Sequence, residues 1–348
     1  MFYTLVPQHI FETPAPEDAY FRQAWEFCRL YALGQATFVL HTSGSTGTPK
    51  PIALTRAQMQ ASARVTQRAL DLRAGQQALV CLNVGYIAGT MMLVRGMELG
   101  LTMHIVAPSS QLFAALPDDV AIDFVAVVPL QLQTILDTQQ DERLNSLKAI
   151  LVGGAPVGDT LGDAIHRLNV PVFSTYGMTE TVSHVALRRL NGEEATDSYG
   201  LLEGVEAATD ERGCLRLCGA VTNHQWIQTN DVVEFLGPRK FIIVGRADNI
   251  INSGGVKIQL EKVERAIEKT GLIASRFFAW SEPDERLGQK LILVVESEKK
   301  LDAELLQTRL LPELLTYELP KKVYFVKKFV ETPTGKVDKR RTFEENIR

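Results

Sequence analysis

The sequence of 348 residues lacks the features that mark several large protein classes. It has only 4 cysteines, which excludes the disulfide framework of a small secreted domain, and no second Cys or His pair stands at zinc-ligand spacing. A net charge of −4 gives no electrostatic reason to bind nucleic acid. No apolar run reaches the length of a membrane span, and the first residues lack the basic and long apolar regions of a signal peptide. We therefore expect a cytoplasmic protein with buried free thiols, without a nucleic-acid partner and without membrane insertion.

The residues that are present have the composition of a globular protein, with 45% hydrophobic and 22% charged residues. Residues 55–72 predict a helix capped by Thr55. Patterns typical of strands and helices then alternate from residue 77 to 175, among them a helix over Ile87–Leu99 and a strand over Thr102–Val106, which predicts βα units and a largely parallel sheet. Short strands separated by turns follow from about residue 200 and predict a small antiparallel portion. After Asp248 the pattern changes to a compact α+β unit. The sequence thus predicts an α/β fold with a domain of residues 1–247 and a second domain of residues 248–348.

One loop, residues 42–50, is the stretch around which the chain is organised. It lies between two apolar runs that predict strands, and it combines glycines, hydroxyl side chains and a lysine. Such a loop suits an anionic ligand, because glycines let the backbone approach closely while hydroxyls, N–H groups and lysine donate to oxygens. The alternative is an ordinary Gly/Ser/Thr hairpin loop. The candidate binding residues are Thr42, Ser43, Gly44, Ser45, Thr46, Gly47 and Lys50.

This loop is not a Walker motif. A Walker loop has four residues between its glycines and a lysine directly after the second glycine. Here two residues separate Gly44 from Gly47, and Lys50 follows three residues later. Pro51 lacks the N–H with which a helix N-terminus would bind phosphate. The sequence therefore argues against a kinase-like phosphotransferase.

A second loop follows directly on the predicted strand 170–175 and contains Tyr176, Gly177, Thr179 and Glu180. Loops at the carboxyl ends of strands are where α/β sheets hold their ligands. An aromatic ring, a hydroxyl and a carboxylate on one loop can serve a base plane, a phosphate oxygen and a Mg²⁺ ion. In isolation the signal is weak, because Tyr-Gly turns are common.

Two smaller groups add to this pattern. The turn Gly153-Gly154-Ala155 ends another predicted strand and lets the backbone lie close to a flat ligand, although a plain strand-to-helix turn has the same sequence. Asp231 can accept hydrogen bonds from both hydroxyls of a ribose, and Arg246 can donate to them. Either residue can equally be a member of a surface ion pair.

The last two motifs lie further along the chain, at residues 245–258 and 333–336. With the loops at 42–50 and 174–181 they stand in an order that resembles the acyl-adenylate-forming superfamily, which contains acyl-CoA synthetases, luciferases and peptide-synthetase adenylation domains. The resemblance covers residues 42 to 336. It implies an adenylate-forming fold, a large N-terminal domain that binds ATP and a carboxylic acid, and a small mobile C-terminal domain. It also implies Mg²⁺ as cofactor and coenzyme A as a further substrate.

The resemblance implies a role for each matching residue. Tyr176 and Gly177 lie at adenine with Gly153, Gly154 and Ala155, and Asp231 and Arg246 hold the ribose. The implied catalytic residues are Lys336, Thr179 and Glu180, of which Glu180 holds Mg²⁺. The hinge is implied to be Asp248, and the tunnel for the pantetheine arm of CoA is implied to be lined by Ser253, Gly254 and Gly255.

The segment ahead of the first loop is short, since 41 residues precede Thr42, whereas the superfamily usually has a much longer one. The domain 1–247 is therefore expected to be truncated at its front. This shortness and the stretches at 86–96 and 175–181 resemble the compact o-succinylbenzoate–CoA ligases of menaquinone biosynthesis. Another aryl- or fatty acid–CoA ligase, or a catalytically inactive nucleotide-binding relative, is the alternative. The sequence leaves monomer and homodimer open.

That closer resemblance implies an acid with two carboxylates, of which one is activated and the other is held in a largely apolar pocket. The held anion needs a donor, because an unpaired buried charge costs several kcal/mol. The polar candidates for this pocket are Tyr86, Arg95, Ser183 and His184. Arg95 has the right charge, but it can also pair with Glu98 on a helix surface.

Overall fold

The computed structural model of the chain describes residues 1–41, 51–298, 303–331 and 337–347. These residues include strands β1 to β19, helices α1 to α9 and several short 3-10 turns, which are joined by loops. The strands are β1 (Phe2–Leu5), β2 (Thr37–His41), β3 (Pro51–Thr55), β4 (Gln77–Val80), β5 (Thr102–Val106), β6 (Phe124–Val127), β7 (Ala149–Val152), β8 (Val172–Gly177), β9 (His184–Arg189), β10 (Tyr199–Leu201), β11 (Val205–Thr209), β12 (Cys214–Gly219), β13 (Ile227–Gly237), β14 (Lys240–Arg246), β15 (Ile250–Ser253), β16 (Val256–Gln259), β17 (Phe277–Asp284), β18 (Gly288–Glu296) and β19 (Lys322–Val326). The helices are α1 (Ala19–Ala32), α2 (Arg56–Leu70), α3 (Ile87–Leu99), α4 (Pro129–Asp137), α5 (Asp141–Asn145), α6 (Asp159–Ile165), α7 (Leu260–Thr270), α8 (Ala303–Leu310) and α9 (Lys339–Asn346).

The large sheet runs in the order β1-β5-β4-β6-β7-β8-β9-β10-β14-β13-β12-β11. The strands β5, β4, β6, β7 and β8 are parallel to one another, as the alternating pattern predicts. From β8 onward the pairs are antiparallel. The antiparallel portion expected after residue 200 is therefore present, and it continues the parallel sheet instead of forming a separate one. The α/β fold class is confirmed.

Side chains on successive residues of the parallel strands point to opposite faces of the sheet, so each strand contributes to two cores. On one face, alternate residues pack against α1 and α3. On the other face, the residues between them pack against α4 and α6. Helices on both faces explain why the central strands β6 and β7 are apolar along their whole length.

Helix α2 begins where the sequence predicts it. Thr55 is the N-cap residue, and its hydroxyl accepts a hydrogen bond from the backbone N–H of Gln58 at 3.2 Å. The Gln58 side chain accepts in return from the backbone N–H of Thr55 at 2.9 Å, which completes a capping box. The helix packs against α3 and against the hairpin of β2 and β3 through Met59 and Ala63.

The start of α3 lies against the backbone of the loop that precedes it. A Cβ on Gly89 would stand 2.3 Å from the carbonyl oxygen of Asn83, closer than any contact can be. We expect Gly89→Ala to lower the free energy of unfolding by about 1–3 kcal/mol through overpacking. Gly162→Ala in α6 is the matched control, since nothing lies within 4 Å of its added Cβ, and it should raise stability by about 0.5–1 kcal/mol. Urea titrations measure both, and equal midpoints would contradict the expectation.

The strands after residue 249 form a second sheet, in the order β16-β15-β18-β17 with β19 parallel to β18. Helices α7 and α8 pack on one face of it, and α9 packs on the other with Phe278 and Phe329. This arrangement is the compact α+β unit that the sequence predicts. The domain boundary at Asp248 stays a prediction.

Two expectations from composition can be compared with the fold. Cys28, Cys81, Cys214 and Cys218 are all free and buried, as expected. Among the described residues, no helix is both long enough and apolar enough to cross a membrane.

Candidate active site

The candidate site lies at the carboxyl ends of β7 and β8, where an α/β sheet holds its ligands. Gly153 and Gly154 follow β7, and the hydroxyl of Thr175 in β8 donates to the Val152 carbonyl at 3.3 Å. A Cβ on Gly153 would stand 2.2 Å from the Thr175 hydroxyl oxygen. Only glycine therefore fits at this point. Gly154 has φ +86° and Ala155 is exposed, so the turn presents bare backbone to solvent.

Tyr176, Asp231, Arg246 and Asp248 form one hydrogen-bonded chain. The Tyr176 hydroxyl donates to Asp231 Oδ2 at 2.6 Å, and Arg246 Nη1 donates to Asp231 Oδ1 at 2.9 Å. Arg246 also forms a two-point contact with Asp248, through Nε at 2.9 Å and Nη2 at 2.7 Å. The pairing of β13 with β14 places Asp231 opposite Arg246. The structure thus brings together three predicted nucleotide-binding residues and the predicted hinge.

The electrostatics of this chain follow from its contacts. Burial raises the pKa of Tyr176, and the Asp231 charge raises it further, so the hydroxyl stays protonated and donates. Hydrogen bonding to Asp248 raises the pKa of Arg246. Partial burial would raise the pKa of Asp248, but the hydrogen bonds and charge of Arg246 outweigh burial and leave it below the ordinary value. The Asp248 carboxylate and the Arg246 guanidinium are therefore both charged at neutral pH.

The loop that carries Thr179 and Glu180 is a 3-10 turn directly after β8. Thr179 is partly exposed, and Glu180 is exposed. Within the described ranges, Glu180 has no ion-pair partner. The Glu180 carboxylate is therefore available to a ligand at the edge of the sheet. No cluster of three or more His, Cys, Asp or Glu side chains in the described part of the chain is arranged to hold a metal alone.

A strained turn follows this loop. Val182 has φ +66° and ψ −52°, and the backbone N–H of Ser183 donates to the Thr181 carbonyl at 2.8 Å. These values describe a γ-turn of the rare, strained kind, at a β-branched residue that seldom adopts positive φ. Gly177 makes the turn sterically possible, because a Cβ there would stand 2.1 Å from the Ser183 carbonyl oxygen. The turn brings Ser183 and His184 back beside β8.

A cavity of about 180 Å³ opens between α3, the glycine turn and this γ-turn. Its walls are largely apolar, and its polar end consists of Arg95, Ser183 and His184. Tyr86, the fourth residue predicted for an acid pocket, is not among the lining residues. It is the N-cap of α3 and is 38% exposed. The apolar residues of the wall include Leu82, Ile87, Val127, Val128, Leu151 and Met178.

Arg95 is 2% exposed, although it carries a charge. Its Nη2 donates to the Ser183 hydroxyl at 2.9 Å and lies 3.4 Å from His184 Nδ1, and its Nε donates to the Thr66 hydroxyl at 3.3 Å. Burial lowers the pKa of Arg95 to about 10, so it is still protonated at neutral pH. None of the carboxylates in the described ranges forms an ion pair with it.

Glu98, the alternative partner of Arg95, forms its contacts with other residues. Its Oε1 accepts from the Tyr31 hydroxyl at 2.8 Å and from Gln60 Nε2 at 2.9 Å, and Arg56 lies 3.8 Å away. The surface pair of Arg95 with Glu98 that the sequence left open is therefore not formed.

His184 lies beside the guanidinium and is 5% exposed. Its Nε2 is 3.0 Å from the hydroxyl of Thr66, a fully buried residue of α2. Burial, and then the charge of Arg95, lower the pKa of His184 well below its ordinary value, so the ring is neutral at pH 7. Thr66 was not predicted as a site residue. The available signal was a pair of polar residues, Ser62 and Thr66, one helical turn apart on the buried side of α2.

Some predicted residues lie outside the described residues, namely Thr42, Ser43, Gly44, Ser45, Thr46, Gly47, Lys50 and Lys336. The strands that flank the first loop are described. β2 and β3 form an antiparallel hairpin that ends at the pair His41 and Pro51. The hairpin packs in one apolar cluster with α2, α3 and Val182, so residues 41 and 51 are anchored to elements that also form the cavity.

The proposed tunnel residues lie in the second sheet, at the turn between β15 and β16. Gly254 has φ +60° and Gly255 has φ +84°, which is the two-residue hairpin turn that favours glycine at both positions. Ser253 is buried, and the Gly254 N–H donates to the Leu287 carbonyl at 2.8 Å. The turn is well defined, and its contact with CoA stays a prediction.

Comparison with known proteins agrees with this geometry. The family model described as AMP-binding enzyme matches residues 18–211. A curated relative, the 2-succinylbenzoate–CoA ligase of Enterococcus faecalis, is 26% identical over 92% of this chain and 72% of its own length.

Two solved structures are similar as well. The acyl-CoA synthetase (AMP-forming)/AMP-acid ligase II-like protein of Dyadobacter fermentans is 49% identical, with a TM-score of 0.70 and 99% of both chains covered. The o-succinylbenzoate coenzyme A synthetase of Bacillus subtilis, in complex with ATP and magnesium ion, has a TM-score of 0.73 at 20% identity, with 87% of this chain and 69% of that chain covered. The second likeness shows a shared fold.

Proposed function

The chain belongs to the AMP-binding enzyme family, and we propose that it is an ATP-dependent o-succinylbenzoate–CoA ligase that works through an acyl-adenylate. In the first half-reaction the succinyl carboxylate attacks the α-phosphate of ATP, and pyrophosphate leaves. In the second the CoA thiolate attacks the activated carbonyl carbon, and AMP leaves. Neither step needs a nucleophile from the protein, so positioning and electrostatics carry the catalysis. Relatives that bear the name of this activity support the proposal.

The observation that carries the choice of acid is the charge of Arg95 at the end of an apolar cavity. A buried ion without a partner costs several kcal/mol, so a site of this kind favours a ligand that brings the opposite charge. o-Succinylbenzoate has two carboxylates. When the succinyl carboxylate is activated, the benzoate carboxylate remains charged and can accept from Arg95 and Ser183. A fatty acid or benzoate has no second carboxylate and would leave the guanidinium unpaired.

The nucleotide is proposed to lie along the edge of the sheet described above. The base would lie against the backbone of Gly153 and Gly154 and beside Tyr176. Each oxygen of the Asp231 carboxylate accepts one hydrogen bond from the protein and retains a lone pair for a ribose hydroxyl. The triphosphate would be bound by residues 42–50 and by Lys336, whose charge offsets the negative charge that develops as pyrophosphate leaves.

Mg²⁺ fits the free carboxylate of Glu180. This ion takes one or two protein carboxylates together with substrate phosphates and water, and it does not need a cage of protein ligands. An exposed glutamate without an ion-pair partner in the described ranges meets that requirement. When bound, Mg²⁺ would neutralise charge on the phosphates, and Thr179 would contact the α-phosphate from the same turn.

The second half-reaction requires CoA to enter where Lys336 acts in the first, so the C-terminal domain is proposed to rotate about Asp248. The contact of Asp248 with Arg246 is about half exposed, with side-chain exposures of 48% and 44%. An exposed pair of this kind contributes about 0–1 kcal/mol, so it does not lock the hinge. After rotation, Ser253, Gly254 and Gly255 would line the path of the pantetheine arm.

The test compares acids that differ in one group. o-Succinylbenzoate and 3-benzoylpropionate share the aromatic ring and the succinyl carboxylate, but only the first has the benzoate carboxylate. With ATP, Mg²⁺ and CoA, we expect kcat/KM for o-succinylbenzoate to be at least about 100-fold higher. A medium-chain fatty acid should be poorer still. Release of pyrophosphate and formation of AMP are the measured quantities.

Each other outcome would correct a different part of the proposal. Comparable kcat/KM for a medium-chain fatty acid would overturn the choice of acid and leave the adenylating chemistry intact. Formation of ADP in place of AMP would overturn the adenylate route. No turnover of any acid would indicate a nucleotide-binding relative without catalysis.

A further inference from the structure

The polar end of the cavity is supported from behind by a residue that does not line it. Thr66 lies in α2 and is fully buried. Its hydroxyl oxygen is 3.0 Å from His184 Nε2 and accepts from Arg95 Nε at 3.3 Å. The same hydroxyl donates to the Ser62 carbonyl, one helical turn earlier, at 3.0 Å. One hydroxyl thus contacts two of the three residues that form the polar end of the cavity.

The hydrogen positions follow from the chemistry of arginine, which has five donors and no acceptor. Arg95 Nη2 lies 3.4 Å from His184 Nδ1, so Nδ1 must present its lone pair, since a hydrogen there would oppose the guanidinium. The neutral imidazole then carries its hydrogen on Nε2, which donates to Thr66. The hydrogen of Thr66 goes to the Ser62 carbonyl. In this arrangement the Thr66 oxygen accepts from Arg95 Nε and from His184 Nε2, and no two donors face each other.

We propose that Thr66 is a positioning residue for the acid anion. Its hydroxyl fixes the tautomer of His184 and accepts a hydrogen bond from Arg95 Nε. That bond orients the guanidinium so that its Nη atoms face the cavity. Within the described residues, the only hydrogen-bond partner of Nη1 is the sulfur of Met92 at 3.8 Å, which is a weak acceptor. Nη1 is therefore left for the ligand. The proposal rests on the proposed function, because the anion in question is the second carboxylate of the acid.

A threonine in this place has an effect that valine cannot reproduce. Thr66→Val keeps the shape of the side chain but removes the acceptor for two buried donors, Nε of Arg95 and Nε2 of His184. The His184 ring can then flip or change tautomer. Arg95 loses the hydrogen bond from Nε and keeps the one from Nη2 to Ser183. Among the described residues, the hydrogen bonds of Thr66 go to Ser62, His184 and Arg95 and not to the residues proposed to hold the base and the ribose, so KM for ATP should change little.

The kinetic test uses three variants. Thr66→Val is expected to raise KM for o-succinylbenzoate about 10-fold, which is the effect of one lost hydrogen bond to a charged group, with kcat and KM for ATP changed less than about threefold. Thr66→Ser retains the hydroxyl and should restore most of the affinity.

Ser62→Ala is the matched control on the same helix, because the Ser62 hydroxyl has no hydrogen-bond partner in the described part of the chain. Equal losses for o-succinylbenzoate and 3-benzoylpropionate in Thr66→Val would overturn the positioning role.

A second measurement does not depend on the acid. The ¹⁵N shifts of the His184 ring in the wild-type protein, identified by their absence in His184→Gln, should show a neutral ring with hydrogen on Nε2. A ring with hydrogen on Nδ1 would overturn the inference, whichever acid the enzyme activates. If the Nε2 tautomer is found but o-succinylbenzoate is not turned over, the proposed function fails while the network stands. The variants are then compared on the best acid of the panel, where a selective KM increase in Thr66→Val supports the positioning role and its absence overturns it.

Discussion

Arg95→Met is expected to lower kcat/KM for o-succinylbenzoate by about 10²–10³-fold, since truncating one partner of a buried charge pair typically costs 2–5 kcal/mol. Methionine has a similar length, is apolar, and leaves no unpaired charge in the cavity. The same variant should leave kcat/KM for 3-benzoylpropionate unchanged or raise it, because that acid brings no second carboxylate. The measurement is the rate of pyrophosphate release as each acid is varied at saturating ATP.

A loss of kcat/KM for o-succinylbenzoate without a loss for 3-benzoylpropionate distinguishes a binding role of Arg95 from a structural one. In the free enzyme Arg95 is a buried cation whose hydrogen-bond partners among the described residues are neutral, namely Ser183, Thr66, His184 and Met92. Replacing such a charge by an apolar residue is often neutral or stabilising, so the melting temperature of Arg95→Met should not fall. Equal loss of activity with both acids, together with a lower melting temperature, would show that Arg95 supports the fold and does not bind the anion.

Arg68→Met is the matched control for the loss of an arginine. Arg68 lies on α2, is 54% exposed in its side chain, and pairs with Glu203 at 2.8 Å on the surface. A pair of this kind contributes little, because solvent screens it. Its removal should therefore change neither the ratio of kcat/KM for the two acids nor the melting temperature measurably.

Much of the fold could be predicted from the sequence, because local patterns determine it. The helix Ile87–Leu99 and the strand Thr102–Val106 begin and end at the predicted residues. Thr55 caps α2 as predicted, since a hydroxyl three residues ahead of Gln58 is a local signal. The sequence did not predict that the antiparallel strands continue the parallel sheet. That continuity depends on the pairing of β9 with β8 and β10, which no local pattern encodes.

The polar end of the cavity was only partly predictable, for a related reason. From the sequence, Arg95 could either face the acid pocket or pair with Glu98 on the helix surface. The packing of α2 and β9 around α3 decides between these two positions. Tyr86 was a candidate by sequence proximity, yet its place at the N-cap turns it outward. Thr66 lies 118 residues from His184 in the chain, so their contact exists only in the tertiary structure. The γ-turn at Val182 requires the close approach of Gly177 to Ser183, which is also non-local.

The triphosphate end of the site rests on sequence alone, because residues 42–50 and Lys336 lie outside the described residues. Lys336 is proposed from the chemistry of the two half-reactions. The first half-reaction places additional negative charge on the phosphates, and a lysine near them would stabilise that charge. The second half-reaction releases AMP from an acyl-adenylate, and no pyrophosphate departs. A lysine needed for the first step is therefore not needed for the second.

Lys336→Ala is accordingly expected to slow adenylate formation by about 10²–10³-fold, the usual effect of losing one well-placed donor to developing charge. Thioester formation from supplied o-succinylbenzoyl-adenylate and CoA should proceed at nearly the wild-type rate. Pyrophosphate release measures the first step, and disappearance of the CoA thiol measures the second. Lys327 is an exposed lysine directly after β19, and Lys327→Ala is the control for loss of surface charge, which should affect neither step. If Lys336→Ala slows both half-reactions equally, the lysine acts on the fold or on domain rotation, and the adenylating role must be given to another residue.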